Sequence, residues 1–360
     1  MKLHLHIPCA FLFACAVVFA MSRPVTLNAV PGERIPEVMG TWKGEWINPG
    51  REQRHLQNEP ELYAEVIGLG NDQFRIRFFP QLYRRARSLF ETEAELRDGV
   101  IRFDRDDWQG EISAEGFRGE SQQGGDAPIA FELSRYSLTP PNLGKAPPEG
   151  AIVLFDGSDL DAWEDGDGNA ADWIITDDGI LQIPRRRRGE RHRSIRTRET
   201  FGDIQMHIEY RTPYFPSRRR QGRGNSGVFI QSVYEVQVLD SFGADGHWDD
   251  NGALYKVSPP RVNASLPPGQ WQTFEIDFQA ARFGPDGDLL SYPRMTVLHN
   301  GIPIVTDFEL REHTRHTLEA RQVPPISAPA PILLQEHGSG NPVQFRNIWV
   351  LPLELDADGE

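Results

Sequence analysis

Glu235, Gln237 and Asp240 close the stretch GNSGVFIQSVYEVQVLDS, Gly224 to Ser241, which reads as two short strands. Side chains alternate along a strand, so Glu235 and Gln237 point to the same face. Asp240 lies three residues beyond Gln237 and joins that face only if the strand bulges or ends there. An acid, an amide and an acid on one sheet surface suit proton transfer on a sugar-sized ligand. Glu235 is the first candidate for a catalytic carboxylate; the alternative is a charged residue on a solvated edge strand. Asp240 is either its partner acid or a cap for the turn Ser241-Phe242-Gly243. Gln237 either donates to substrate or belongs to a buried amide network.

Further along, LLQEHG carries His337, which titrates near neutrality and suits a proton shuttle. Gln335 precedes it by two residues and shares its face, whereas Glu336 falls on the opposite one. Asn225 and Ser226 sit in a glycine-flanked turn, where backbone can approach a ligand closely or can simply close a hairpin. Arg346, in QFRN, could orient a carbonyl or hydroxyl, or pair with a carboxylate such as Glu235. Trp163, Trp173, Trp248 and Trp271 are candidate sugar-stacking platforms. Trp248 is the first choice for substrate binding, because it lies in the polar loop DGHWDDNG, where no core is expected. That loop also gathers Asp245, Asp249, Asp250 and Asn251, oxygen ligands that could hold Ca²⁺, although the spacing is not that of an EF-hand. DGDGNAAD, Asp165 to Asp172, reads as a turn or a second cation loop. No other cofactor or resident metal is expected.

The elements that must position these residues are strands. A first unit, residues 38 to 136, opens with GTWKGEW and continues through alternating segments at 62–67, 74–79, 100–103, 116–120 and 129–133. Gly70-Asn71-Asp72 and Asp98-Gly99 supply turns, so the unit reads as small, antiparallel and β; residues 82–96 could carry helix or a long loop. SLTPPNLGKAPPEG, residues 137 to 150, is dense in Pro and Gly and reads as a linker. From 151 to 353, about ten short apolar segments separated by turns indicate a sandwich or jelly roll. The acidic end, Asp356 to Glu360, reads as a frayed tail.

Composition bounds the function. A formal net charge of −14 argues against non-specific binding to nucleic acid or anionic membrane, both polyanions. The basic runs Arg185 to Arg188 and Arg218 to Arg220 are local exceptions and read as solvated loops. Residues 1–20 combine Lys2, an apolar run from Ile7 to Ala20 and Val18-Phe19-Ala20, the pattern of a signal peptide for export to the periplasm or outside. A lipoprotein reading through Leu12-Phe13-Ala14-Cys15 is the alternative. Both cysteines, Cys9 and Cys15, fall in that segment. The exported chain would then hold no disulfide, thiol nucleophile or thiolate metal site. No later segment is apolar enough to span a bilayer.

Eight ordered blocks of the second unit carry a resemblance. They are LFDGSDLDAW, DWIITDDGIL, FGDIQMHIEYRTP, RGNSGVFIQSVYEVQVLDS, GALYKVSPPRVNASLPPGQWQTFEIDF, MTVLHNGIPI, PILLQEHG and VQFRNIWVLPL. Together they resemble the 3-keto-disaccharide hydrolase domain family across the whole second unit and none of the first. The resemblance implies a concanavalin A-like fold, two curved antiparallel sheets with a concave sugar-holding face. Laminarinase-like enzymes of that fold carry an E-x-D-x-x-E strand, and Glu235-x-Gln237-x-x-Asp240 is similar to it in spacing but not in residues. The family's implied chemistry starts from a ketone at C3, which acidifies the C2 hydrogen. A base removes that proton, the C1 group leaves and water adds. The rival readings are a conventional glycosidase on unoxidised glycans and a non-catalytic carbohydrate-binding protein.

Overall fold

The computed structural model describes residues 32–50, 53–84, 87–122, 127–185, 193–338 and 340–353. Residues 1–20, read above as a signal peptide, the Arg186–Arg188 part of the first basic run and residues 356–360 lie outside the described residues. Among the described residues no helix is long and apolar enough to cross a membrane.

The first unit is a closed antiparallel barrel. Its strands are β1 (Gly40–Trp46), β2 (Glu61–Gly70), β3 (Gln73–Phe79), β4 (Phe90–Arg97), β5 (Val100–Arg105), β6 (Trp108–Ile112), β7 (Phe117–Ser121) and β8 (Ile129–Tyr136). Each pairs with the next, and β8 returns to β1. Period-two burial drives this: Ile129, Phe131 and Leu133 of β8 point inward while their neighbours stay exposed. Trp42, Trp46, Phe78, Phe90, Trp108, Phe117 and Phe131 fill the interior, with Phe90 stacked on Trp108 at 5.2 Å. Residues 90–97 are a strand rather than helix or loop. Phe90 and Thr92 alternate inward along FETEAELR, and hydrogen bonds to β3 on one side override its helical propensity.

The second unit is a β-sandwich. One sheet has the order β10 (Trp163–Asp165), β13 (Ile195–Thr197), β22 (Leu333–Leu334), β15 (Ser226–Ile230) and β16 (Tyr234–Val238). The larger sheet has the order β11 (Ile174–Ile175), β12 (Leu181–Gln182), β23 (Gln344–Pro352), β14 (Ile204–Arg211), β17 (Gln272–Gln279), β20 (Arg294–His299) and β21 (Ile302–Glu309), with β9 (Ile152–Phe155) also pairing β23; β18 (Arg282–Phe283) and β19 (Leu289–Ser291) form a separate pair. Val228, Ile230, Tyr234, Val236 and Val238 of the smaller sheet meet Met206, Ile208, Tyr210, Phe274, Ile276 and Phe345 of the larger in one core.

The 137–150 segment is ordered as a strap over the outer face of the larger sheet. Gly144 N donates to Glu209 Oε1 at 2.5 Å, and Asn347 Nδ2 and Trp349 Nε1 both donate to Lys145 O. Lys145 Nζ pairs with Glu275 at 3.0 Å. Tyr214 and Phe242 of the sandwich pack into the barrel's apolar cluster, and Arg77 of β3 donates to Gly243 O at 2.7 Å.

Candidate active site

The smaller sheet buries one face in the core and turns the other toward a cavity of about 310 Å³. The hairpin β15–β16 sets its floor. Gln231 and Ser232 both take positive φ in the three-residue loop Gln231-Ser232-Val233, and the register pairs Phe229 with Glu235 and Gly227 with Gln237. Val228, Val236 and Val238 therefore go to the core while Gly227, Phe229, Glu235 and Gln237 face the cavity. Gln335, just past β22, donates its backbone N–H to Gly227 O at 3.0 Å, which brings it and His337 to the same cavity. Of the residues singled out from sequence, Glu235, Gln237, Asn225, Gln335 and His337 thus share one lining.

Glu235 is 4% exposed. Burial pushes its carboxyl up to about 8, against the opposing field of Arg315. With its nitrogen turned toward Glu235, the Gln237 amide donates to Glu235 Oε1 and to Ser226 O, each at 2.9 Å. Asn225 Nδ2 donates to both oxygens of Gln221, at 2.9 and 2.8 Å. Asn225 Oδ1 and Gln335 Oε1 are buried acceptors with no hydrogen-bond partner among the described residues. Such acceptors are costly unless something in the cavity donates to them, as sugar hydroxyls would. His337 is exposed at the rim; loss of hydration lowers its pKa, with Glu336 pulling the other way.

Three other candidates lie elsewhere. Asp240 follows the end of β16 and does not reach the cavity-facing side. Arg223 Nε and Nη2 hold its Oδ2 at 3.0 and 2.7 Å, and its Oδ1 accepts from Phe242 N at 3.4 Å. It is a buried ion-pair partner and turn cap, not a second acid in the cavity. Arg346 belongs to the larger sheet, where β23 pairs it with Glu209 across β14. Its Nε donates to Glu209 Oε2 at 2.7 Å, and its guanidinium stacks on Trp271 at 4.1 Å, so it meets neither Glu235 nor the cavity. Trp248 is exposed, as its polar loop implied, but lines a different hollow at the barrel seam. Trp163 and Trp173 are core residues.

Carboxylates of the loop Asp245 to Gly252 are held by protein partners. Asp245 pairs with Arg77 at 2.6 Å, Asp249 pairs with Lys256 at 2.9 Å, and Asp250 Oδ2 accepts from His247 N at 2.7 Å. In the other acidic loop, Asp165 Oδ1 accepts from the backbone N–H groups of Asp167 and Asn169, an Asx turn. Among the described residues no three His, Cys, Asp or Glu side chains gather to hold a metal ion.

Sequence reading missed Gln221, Phe229, Tyr255, Thr314, Arg315 and His316 in the lining. Phe229 was findable, because it sits two residues from Gly227 on the same strand face. His313-Thr314-Arg315-His316 was a dense polar cluster, but only the fold brings it here: Glu235 N donates to Thr314 Oγ1 at 2.6 Å, and Thr314 Oγ1 to Val233 O at 2.8 Å.

Gly227 makes room for the carboxylate. A Cβ at this position would clash with Glu235 Oε1 and lie 3.0 Å from its Cδ and 2.9 Å from Phe229 Cε2. Gly227→Ala is expected to keep the fold and lower kcat about 10²-fold by displacing Glu235. Circular dichroism and steady-state kinetics on the variant check both halves; an unchanged kcat would mean that this carboxylate position does not matter.

Residues 150–351 match the family described as the 3-keto-alpha-glucoside-1,2-lyase-like domain. A candidate glycosyl hydrolase of Parabacteroides distasonis is 37% identical over 57% of this chain and 85% of its own, with a TM-score of 0.52. A second from the same organism is 19% identical over 57% of this chain and 95% of its own, at a TM-score of 0.42. No curated protein matches the chain. The glycine-floored hairpin with its buried acid lies inside the matched segment, and the chain belongs to the 3-keto-alpha-glucoside-1,2-lyase-like domain family.

Proposed function

We propose that the protein cleaves 3-keto-glycosides by elimination across C1 and C2 followed by addition of water. The observation that carries this reading is that Glu235 is the one carboxylate among the described residues lining the cavity. A conventional glycosidase needs two carboxyl groups flanking the bond, about 5–9.5 Å apart, and Asp240 is held away by Arg223. Elimination next to a ketone needs a single base. A family description that names a 1,2-lyase is consistent with that route.

In this reading Glu235 takes the proton from C2. The electron pair of that C–H bond passes into an enolate on the C3 oxygen, which the guanidinium of Arg315 in the cavity wall can stabilise. The enolate collapses, C3 regains its carbonyl, a C1–C2 double bond forms and the C1–O bond breaks. His337 at the rim gives the departing oxygen its proton. Water then adds at C1 and its proton restores His337, while Glu235, its proton exchanged with solvent once the C1 group has left, delivers a proton to C2. A carboxyl poised near 8 suits both directions of that transfer at neutral pH. Secretion to the periplasm or outside belongs to the same proposal and rests on the leader alone.

The test is incubation in D₂O with a 3-keto-glucoside and with its unoxidised parent. The expected result is cleavage of the ketone form only, with one deuterium at C2 of the product. Cleavage of both forms without deuterium at C2 would overturn the proposal in favour of a conventional glycosidase.

A further inference from the structure

Trp248 is 54% exposed, yet it does not stand alone on a convex surface. It lines a hollow of about 770 Å³ with Arg77, Arg87, Ser88, His247 and Pro259, so barrel and sandwich each supply part of the wall. The loop that carries it is fixed rather than loose. Arg77 holds Gly243 O at 2.7 Å and Asp245 Oδ1 at 2.6 Å, and Lys256 N donates to Trp248 O at 2.8 Å. A large exposed aromatic on an anchored loop, in a hollow rimmed by guanidinium, hydroxyl and imidazole groups, matches the apolar face and hydroxyl edge of a sugar ring.

One basic side chain stands between this hollow and the cavity that holds Glu235. Lys256 Nζ lies 5.2 Å from the centre of the Trp248 ring and 5.4 Å from that of Tyr255, and Tyr255 lines the Glu235 cavity. Asp249 ties the two together: its Oδ2 pairs with Lys256, and its carbonyl accepts from Gln221 Nε2 at 2.6 Å in the cavity wall.

We infer that the hollow at the barrel seam is a second saccharide subsite, built on Trp248 and completed by barrel residues, which holds the distal sugars of a glycan whose reacting end lies beside Glu235. Its role at the reacting end rests on the reaction proposed above; the binding of sugar does not. The substrate class is then an oligosaccharide rather than a disaccharide. The barrel, which lies outside the family match, is what extends it.

The experiment is calorimetric titration of the full chain, and of its Trp248→Ala and Arg87→Ala variants, with unoxidised maltotetraose and cellotetraose. Alongside it, kcat/KM is measured on a 3-keto-disaccharide and a 3-keto-tetrasaccharide of the linkage that binds. One of the tetraoses is expected to bind, about tenfold more weakly in Trp248→Ala, and the ratio of kcat/KM for long over short substrate is expected to fall by a similar factor. Tetraose affinity that depends on Trp248, with no turnover of either ketone, would keep the subsite and remove the proposed reaction. No tetraose binding, equal affinity in all three proteins, an unchanged long-to-short ratio in a protein that turns both over, or a dimer in solution that the variants dissociate would each overturn the inference.

Discussion

Glu235→Gln is expected to lower kcat/KM toward a 3-keto-glucoside by about 10²–10⁴-fold, the usual contribution of a positioned general base. The substitution preserves shape and can still hydrogen-bond to Gln237, so the loss reports the missing proton acceptor rather than a collapsed cavity. The pH dependence gives an independent signature. Burial raises the Glu235 pKa to about 8, and a base must be ionised to act. Proton abstraction precedes any demand on His337, so with abstraction rate-limiting the wild-type kcat/KM should climb about tenfold per pH unit below 8 and level off above it. Stability runs the opposite way. A carboxyl whose folded pKa is raised favours the folded state at low pH, and that contribution is lost as pH rises from the ordinary 4.5 through about 8. Glu235→Gln should melt with the wild type near pH 4.5 and above it at pH 9. A flat rate profile between pH 6 and 9, together with coincident melting at pH 9, would remove Glu235 from the chemistry.

The largest expected loss of stability comes from the other sheet. Glu209 is fully buried on β14 and accepts from Arg346 Nε at 2.7 Å, Asn347 Nδ2 at 2.9 Å and Gly144 N at 2.5 Å. His207 lies between Glu209 and Glu275, stacked on Trp349 at 5.2 Å. Burial alone would raise the Glu209 pKa, but hydrogen bonds from His207, Asn347, Gly144 and Arg346 outweigh it and hold the carboxyl at about 2. Removing one member of such a network leaves the rest buried and unmatched. Glu209→Ala should therefore cost about 3–5 kcal/mol in chemical denaturation at pH 7. A depressed carboxylate contributes its stability above its ordinary pKa and loses it as pH falls through the folded value. The gap between wild type and variant should accordingly narrow from pH 4.5 downward and nearly close by pH 2. A loss below 1 kcal/mol at pH 7 would mean that the strap and sheet hold together without this carboxylate.

What could be read in the chain followed from the range of each interaction. Strand alternation is local, so Glu235 and Gln237 fell on one face, and the spacing of Gln335 and His337 carried over in the same way. Asp240 failed at the first residue beyond regular strand, where alternation no longer applies and Arg223, 17 residues earlier, decided its partner. Arg346 failed for a related reason: a single strand carries no signal of which sheet it joins, and cross-strand pairing gave it to Glu209. Thr314, Arg315 and His316 reach the cavity through a loop about 80 residues from the hairpin in sequence, anchored at Thr314. Barrel closure was likewise hidden, because the return of β8 to β1 is set by strand count and tilt and not by any one segment. The Pro-rich strap looked free because its partners, Glu209, Glu275, Asn347 and Trp349, all come later in the chain.

β23 is the last strand among the described residues but not at the edge of its sheet: it lies between β12 and β14 and also holds β9. On the ribosome, the barrel's consecutive hairpins can zip up as they emerge, since every pairing but the last joins neighbours. The sandwich must wait for its final nine residues with a slot open in its middle, and a nascent chain stalled short of residue 344 would present that gap to chaperones rather than a nearly finished enzyme.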